Sequence, residues 1–334
     1  MLCPREQRER IEHYIVGPYG VLAENTRGRL TPEDECEIRT CFQRDIDRIT
    51  HSKSFRRLKH KTQVFLQPEG DHYRTRLTHT LEVSRLSRTV ARALALNEDL
   101  AEAIALGHDL GHTPFGHAGE RALNAIYPGG FKHYEQSLRV VDVLERDGRG
   151  LNLCYETRMG ILNHTVGAPD DTLEATTVRL CDRIAYVNHD LDDSIRAGIL
   201  TEEDVPARVR ENCGDKNSRR INAFISDLIA NSGGGKLKMS DEMQETFNIF
   251  HAFMFSDVYT NPVAKSEENK VKGILGGLYT YYTSHPDALP DDFRGVIEYD
   301  GIERAACDYI SGMTDGYAME KYGEIFIPFA WTVK

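Results

Sequence analysis

The sequence lacks the features that mark secreted and membrane-embedded proteins. No run reaches the ~18 apolar residues that a bilayer-spanning helix needs, and the charged N-terminus has no apolar stretch typical of a signal peptide. The seven cysteines include no CxxC pair, and their odd number argues against a closed disulfide framework. We therefore expect a cytoplasmic protein with reduced thiols and no membrane contact.

The chain also lacks an excess of positive charge. Its 41 Lys and Arg residues stand against 52 Asp and Glu residues, which gives a net charge of -11. A chain of this sign repels polyanions at long range, so nucleic acid is a disfavoured partner unless a local basic patch is strong. With 334 residues and 40% hydrophobic content, the chain can bury a large core, which favours a folded domain over disorder.

Apolar residues recur at three- and four-residue spacing, and we find no series of alternating strands, so the sequence predicts an all-α fold. One apolar stripe includes Leu77 and Leu81, with Thr78 as a candidate N-cap, and a second helix is predicted to begin at Asn97. A glycine-rich stretch at 231–235 predicts a loop. It would separate a core of residues 1–230 from a helical region of residues 236–334 that packs on it as one continuous unit.

The stretch HDLGHTPFGHAGE, from His108 to Glu120, carries three histidines and two acids, interrupted by glycines and a proline. Imidazole and carboxylate groups together suit Mn, Fe, Co, Ni or Zn better than thiolates would. Successive side chains on a helix point about 100° apart, so His108 and Asp109 can share one ion only at a helix end. Further ligands must then come from elsewhere, and His79 and Asp182, in two other predicted helices, are the candidates. Taken singly, each could instead cap a helix or form a surface hydrogen bond.

The set His79, His108, Asp109 and Asp182 resembles the HD superfamily, whose pattern is His, then His-Asp, then a distant Asp. Other parts of the chain resemble the signatures of deoxyguanosinetriphosphate triphosphohydrolase-like (dGTPase-like) proteins. These parts are NTRGR at 25–29, RTCFQRDIDRITHS at 39–52, FRRLKHKTQV at 55–64 and DYISGMTD at 308–315.

The resemblance implies an HD-domain helical core with an additional C-terminal helical region, and a metal-dependent enzyme. The four residues would bind one divalent ion, which could also be Mg, and a further Mg could accompany the substrate. The implied reaction is hydrolysis of a deoxynucleoside triphosphate (dNTP) at the α-phosphorus, which releases the deoxynucleoside and tripolyphosphate. Family members are commonly oligomeric, so we expect a homo-oligomer.

Proton transfer needs titratable groups beside the metal. His117 and Glu120 are three residues apart, which places them on one side of a helix start, where the carboxylate can orient the imidazole. This pair is the candidate acid/base or proton shuttle. His112 and His133 are further candidates for contacting the phosphates or protonating the leaving group, although either could be a hydrogen-bonded structural histidine.

Candidate substrate contacts come from two regions. The segment Lys53–Lys61 has five cations and no acid, and guanidinium groups bind phosphate oxygens with directional hydrogen bonds. The family motif favours Arg57 and Arg76 for this role.

Tyr186 and Asp190 follow Asp182 at four-residue steps, so all three share one helix face. Tyr186 could pack against the deoxyribose where a 2′-hydroxyl would clash, and Asp190 could accept a hydrogen bond from the 3′-hydroxyl. By resemblance Gln63 would contact the same sugar edge. The alternative for these side chains is ordinary helix packing.

Two other functions remain open at this point. The first is an HD phosphohydrolase acting on nucleoside monophosphates, cyclic nucleotides or an alarmone. The second is a regulatory HD protein that binds nucleic acid through the basic segment and keeps a metal for structure.

Overall fold

The fold is that of a computed structural model, which describes residues 2–63, 73–259 and 268–328. Within these ranges it is all-α, as predicted, and pairing between extended segments is limited to isolated bridges such as Thr62 with Thr75. None of the described helices is both long and apolar enough to cross a membrane. Val64 of the N-terminal signature, and residues 260–267 and 329–334 of the predicted C-terminal region, lie outside the described residues.

The described helices range in length from a single turn to 24 residues. In chain order they are α1 (Pro4–Ile15), α2 (Cys41–Thr50), α3 (Lys53–Arg57), α4 (Arg76–Ala93), α5 (Glu98–Gly107), α6 (Gly116–Ile126), α7 (His133–Arg139), the single turn α8 (Glu145–Gly148), α9 (Tyr155–Asn163), α10 (Leu173–Arg196), α11 (Ala207–Cys213), α12 (Asn217–Asn231), α13 (Asp241–Met254), α14 (Glu268–Ser284), α15 (Arg294–Asp300), α16 (Ile302–Ser311) and α17 (Asp315–Phe326). A π-helical segment, Phe255–Tyr259, continues directly from α13.

Helices α4, α5 and α10 pack against one another and carry the predicted metal ligands. Their shared core includes Val83 of α4, Leu100 and Ile104 of α5, and Val178 and Ala185 of α10, all fully buried. Because a fully buried aliphatic side chain contributes about 1.5–3 kcal/mol, this core holds the three helices together firmly.

The start of α4 differs from the prediction. Thr75, not Thr78, is the N-cap, and its hydroxyl accepts a hydrogen bond from the Thr78 backbone N–H. Leu81 is also 46% exposed, so the predicted apolar stripe is wrong at that position. The buried face carries polar side chains such as Arg76 and His79, because this face of α4 borders the cavity at the candidate metal centre.

The start of α5 agrees with the prediction. The Asn97 side chain accepts hydrogen bonds from the backbone N–H groups of Asp99 and Leu100, which makes it the N-cap. The helix ends at Gly107, so His108 and Asp109 follow at a helix end, as their adjacency required.

The glycine-rich stretch forms a turn between α12 and α13, closed by backbone pairing of Gly233 with Lys236. Helices on both sides of this turn share one hydrophobic cluster, which includes Phe224 before it and Phe250 after it. The division of the chain at 231–235 stays a prediction.

Candidate metal centre and active-site cavity

The four predicted metal ligands lie together. His79 Nε2 is 3.0 Å from Asp182 Oδ1 and 4.0 Å from Asp109 Oδ2. His108 Nε2 is 3.4 Å from Asp109 Oδ1 and 3.7 Å from Asp182 Oδ1. Three separate parts of the chain therefore bring two imidazoles and two carboxylates to one point.

The protonation of these groups fits a divalent cation. His108 Nδ1 lies 2.6 Å from the Ala105 carbonyl oxygen, so it carries the ring proton and leaves a lone pair on Nε2. That Nε2 is buried and has no hydrogen-bond partner among the described residues. Although burial would favour the neutral acids, His108 lowers the pKa of Asp109 and the His79 hydrogen bond lowers the pKa of Asp182. An unpaired imidazole nitrogen beside two carboxylates is a suitable donor set for such an ion.

The loop after α5 reaches α7 through a close backbone approach. A Cβ atom at Gly111 would lie 2.1 Å from the Ser137 backbone nitrogen, so only glycine fits there. This approach brings His112 against His133, with ring centroids 4.1 Å apart. His112 Nε2 lies 3.1 Å from Asp109 Oδ1, which connects the stacked pair to the metal centre.

Glu120 joins two histidines at the mouth of the site. Its carboxylate is 3.4 Å from His117 Nδ1, so the predicted pair is in contact. The Glu120 carboxylate lies closer to His133, whose Nδ1 is 3.1 Å from Oε1 and 3.0 Å from Oε2 of Glu120. Burial opposes ionisation, but the hydrogen bonds from His117 and His133 hold the pKa of Glu120 well below its ordinary value. The sequence spacing indicated the first contact and missed the second.

A cavity of about 480 Å³ opens onto the metal centre, within the size range of small-molecule sites. Arg76 is buried at its edge and donates from Nη1 to Asp109 Oδ2 at 3.0 Å. Its Nε and Nη2 atoms, and Oε1 of Gln63, are buried and have no hydrogen-bond partner among the described residues. These atoms can donate to or accept from a ligand. Three predicted site residues, His108, Arg57 and Glu120, do not line this cavity, although Glu120 contacts His117 and His133, which do. The predicted site residues that line it are Gln63, Arg76, His79, Asp109, His112, His117, His133, Asp182, Tyr186 and Asp190.

Arg57 is a correction to the prediction. It lines a separate cavity of about 390 Å³, and its Nη2 donates to Ser54 Oγ at 2.8 Å. Its guanidinium extends towards the turn at Gly312 rather than the metal centre. Lys61, from the same basic segment, is buried and donates to the backbone oxygens of His112 and Ser311. It supports the loop that carries His112.

Asp190 lies eight residues after Asp182 on α10, about 12 Å along the helix, which places it at the end of the cavity away from the candidate metal ligands. Tyr259 donates its hydroxyl to Asp190 Oδ2 at 2.5 Å, while Asp190 Oδ1 is buried without a partner among the described residues. Burial raises the pKa of Asp190 to about 7. The Tyr186 ring lies edge-on to His251 at 6.2 Å between centroids, so this end is largely aromatic.

Several lining residues had no place in the sequence interpretation. Arg183 directly follows Asp182, and Arg121 directly follows Glu120, so their neighbours could have drawn attention to them. His164 Nε2 lies 3.2 Å from His133 Nε2, but no motif marks it. The remaining ones outside residues 108–120 lie outside every motif: Thr165, His251, Phe255, Val258 and Tyr259.

Comparison with known proteins agrees with this arrangement. The HD domain matches residues 76–187, which include all four candidate ligands, and the phosphohydrolase-associated domain matches residues 237–324. A deoxyguanosinetriphosphate triphosphohydrolase-like protein of Caldanaerobacter subterraneus subsp. tengcongensis is 54% identical over 328 residues, covering 98% of this chain and 97% of that relative. The chain belongs to the dGTPase-like family. A relative of the same name from Clostridium perfringens strain SM101 is 47% identical over 334 residues, covering 97% of this chain and 98% of its own length.

Membership in this family confirms the resemblance found in the sequence. The dGTPase-like chain has the all-helical HD fold and is a metal-dependent hydrolase. Its His and Asp cluster is where a metal ion can bind, since His79, His108 and Asp109 each place a ligand atom within 4.8 Å of the others.

Proposed function

We propose that this dGTPase-like protein hydrolyses a dNTP at the α-phosphorus and releases the deoxynucleoside and intact tripolyphosphate. The observation that carries the proposal is the continuity of the cavity. It joins the metal cluster and Arg76 at one end to Tyr186 and Asp190 at the other. A nucleotide requires this combination, because its phosphates need cations while its sugar and base need a shaped and less charged surface.

One divalent ion would be held by His79, His108, Asp109 and Asp182. These ligands fit Mn, Fe, Co, Ni, Zn or Mg and do not select one of them. When bound, such an ion withdraws charge from a phosphoryl oxygen and makes water more acidic. Two nitrogen atoms of Arg76, Nε and Nη2, have no partner within the described part of the chain and would donate to the same phosphate, while the third, Nη1, donates to Asp109 and holds it in place. A Mg²⁺ ion accompanying the triphosphate is part of the same proposal.

Proton transfer is proposed for the histidines around Glu120. The His117 and Glu120 pair would act as acid/base or proton shuttle, and the carboxylate holds the second imidazole, His133, in a fixed tautomer. His112 and His133 would contact the phosphates or protonate the leaving 5′-oxygen.

Selection for deoxyribose is proposed for the other end of the cavity. Tyr186 would pack where a 2′-hydroxyl would clash, and Oδ1 of Asp190 would accept a hydrogen bond from the 3′-hydroxyl. The unpaired Oε1 of Gln63 is available to the same sugar edge.

The test is a screen of the four dNTPs and four NTPs, singly and mixed, with Mn, Mg, Co, Ni and Fe, followed by chromatography of the products. Tripolyphosphate from dNTPs supports the proposal. Orthophosphate or pyrophosphate would assign the chain to another HD phosphohydrolase activity. Salt-sensitive DNA binding without nucleotide turnover would favour the regulatory alternative. Light scattering on the same preparation tests the expected homo-oligomer.

A further inference from the structure

A row of side chains leads from His79 towards the protein surface. His79 Nδ1 lies 3.3 Å from Nδ1 of His189, which is buried on α10. His189 Nε2 lies 3.3 Å from Glu82 Oε2, and Arg74 Nε donates to the same oxygen at 3.1 Å. The row thus ends at a carboxylate whose side chain is 43% exposed.

We propose that His189 is a positioning residue that fixes the tautomer and ring orientation of His79, an inference that rests on the proposed ligand set. Without a cation, His79 Nε2 lies 3.0 Å from Asp182 Oδ1 and donates to it, whereas binding a cation requires a lone pair on Nε2 and therefore places the ring proton on Nδ1. That proton then points at His189 Nδ1, which must accept it. The His189 proton is therefore on Nε2, where it donates to Glu82. In the row from His79 through His189 to Glu82, each ring proton therefore has one position, and each N–H donor faces an acceptor.

The outer end of this row is itself fixed. Arg74 Nη1 donates to Asp192 at 2.8 Å and to Asp193 at 3.2 Å, both on α10. Arg74 therefore links Glu82 of α4 to the helix that carries His189. The charges of this link orient Glu82, although it is partly exposed to water.

His79 differs in this respect from the other histidine ligand. The Nδ1 proton of His108 is held by a backbone carbonyl, at Ala105, which side-chain substitution leaves in place. The Nδ1 proton of His79 is held by a side chain, at His189. Removing His189 should thus loosen one ligand while the other stays oriented. Partners of metal-bound histidines typically contribute about 10- to 100-fold to metal affinity.

The experiment measures Mn²⁺ binding to the full chain without nucleotide, from the electron paramagnetic resonance signal of the free ion. His189→Leu should bind Mn²⁺ about 10- to 100-fold more weakly than the unaltered protein. His189→Gln should recover part of this loss, because its carbonyl oxygen can accept from His79 while its amide group donates to Glu82. A purely packing role for the ring, whose centroid is 5.5 Å from that of His79, predicts no such recovery.

Asn188→Leu is the matched control. Asn188 is the preceding residue on α10 and is fully buried, and its one side-chain hydrogen bond to another described residue is within the helix, to the Ile184 carbonyl oxygen at 2.7 Å. Its Mn²⁺ affinity should equal that of the unaltered protein. Equal losses in Asn188→Leu and His189→Leu would overturn the proposal, as would unchanged binding in His189→Leu.

Glu82→Ala provides a second variant that does not disturb the core, because the side chain is partly exposed. It should weaken Mn²⁺ binding in the same direction by a smaller factor, and unchanged affinity would overturn the row as a functional unit. These measurements contain no nucleotide. If the chain failed to hydrolyse any dNTP, the proposed function would fall while the Mn²⁺ result still decided the role of His189.

Discussion

The two ends of the cavity are built differently. At the metal end, three of the four candidate ligands contact a residue outside the ligand set: His79 contacts His189, His108 contacts Ala105, and Asp109 contacts Arg76. At the far end, aromatic side chains dominate, and the buried acid Asp190 accepts a hydrogen bond from Tyr259. Fixed charges suit a step in which charge moves, whereas aromatic walls suit recognition by shape. Changes at the metal end should therefore act on kcat, and changes at the far end on KM and substrate choice.

The two ends also come from different parts of the chain. The metal ligands fall within residues 76–187, matched by the HD domain, whereas His251 and Tyr259 fall within residues 237–324, matched by the phosphohydrolase-associated domain. The second segment therefore completes the cavity that opens onto the candidate metal ligands of the first.

The largest effect is expected at the metal end. Asp109→Ala should abolish metal binding and lower kcat by about 10³-fold or more, because the ion supplies several kcal/mol of charge stabilisation. The helical fold should survive, since Asp109 lies outside the hydrophobic clusters. Metal analysis measures the loss of the ion, steady-state kinetics measure kcat, and circular dichroism measures whether the helical fold survives. Global unfolding would instead mark Asp109 as a structural residue.

The next effect separates metal binding from proton transfer. His117→Ala should keep its metal and bind dNTP, yet turn over about 10²- to 10⁴-fold more slowly, the usual contribution of acid/base catalysis. Glu120→Gln should lose a similar or smaller factor. The double variant should be less impaired than the product of the single effects, because the two residues act as one unit.

His117 is 64% exposed, whereas His133 is mostly buried and closer to Glu120, so the same cycle should be measured with His133→Ala. Normal turnover in His117→Ala, or loss of its metal, would transfer the proton-transfer role to His133 or His112.

The sequence predicted the metal end well because motifs encode it. The His-Asp pair at the end of α5 and the two distant ligands all meet as expected. It could not place residues whose role depends on packing between distant segments. Asp315, in the C-terminal signature, accepts hydrogen bonds from Thr62 and from the backbone N–H of Phe115, and so ties three segments together. Thr78 was mistaken for an N-cap because Thr75, three residues earlier, offers the same hydroxyl.

This tie predicts an effect on stability. Asp315→Ala should lower the free energy of unfolding by about 3 kcal/mol, because removal of the buried carboxylate leaves the donors of Thr62 and Phe115 without a partner. The exposed Asp287→Ala should change it by no more than about 0.5 kcal/mol. Urea denaturation measures both. Similar values for the two variants would show that Asp315 does not secure the loop.

At the far end, a smaller and pH-dependent effect is expected. Because burial raises the pKa of Asp190 to about 7, its carboxyl is neutral below that pH and ionised above it. An ionised acceptor makes the stronger hydrogen bond to a 3′-hydroxyl. The preference of the enzyme for a dNTP over its 2′,3′-dideoxy analogue, measured as a ratio of KM values, should thus rise about fivefold between pH 6 and pH 8.

Two variants sharpen this result. Asp190→Asn should remove the pH dependence. The Tyr259 hydrogen bond lowers the pKa of Asp190, so Tyr259→Phe should move the rise to higher pH. A preference that is independent of pH in the unaltered protein would place the 3′-hydroxyl elsewhere.

The smallest effect is expected for Arg57, which the family motif favoured and the structure places in another cavity. Arg57→Ala should change kcat/KM for dNTP by less than about threefold, because the guanidinium contacts Ser54 and does not line the metal cavity. Arg76→Ala, by contrast, removes a partner of Asp109 together with two unpaired donors, and should lower kcat/KM by about 10²-fold or more. Both variants remove the same charge, so a difference between them reports position alone. Equal losses would mean that the cavity around Arg57 also takes part in turnover, and the contrast between one charged end and one aromatic end would no longer describe the whole site.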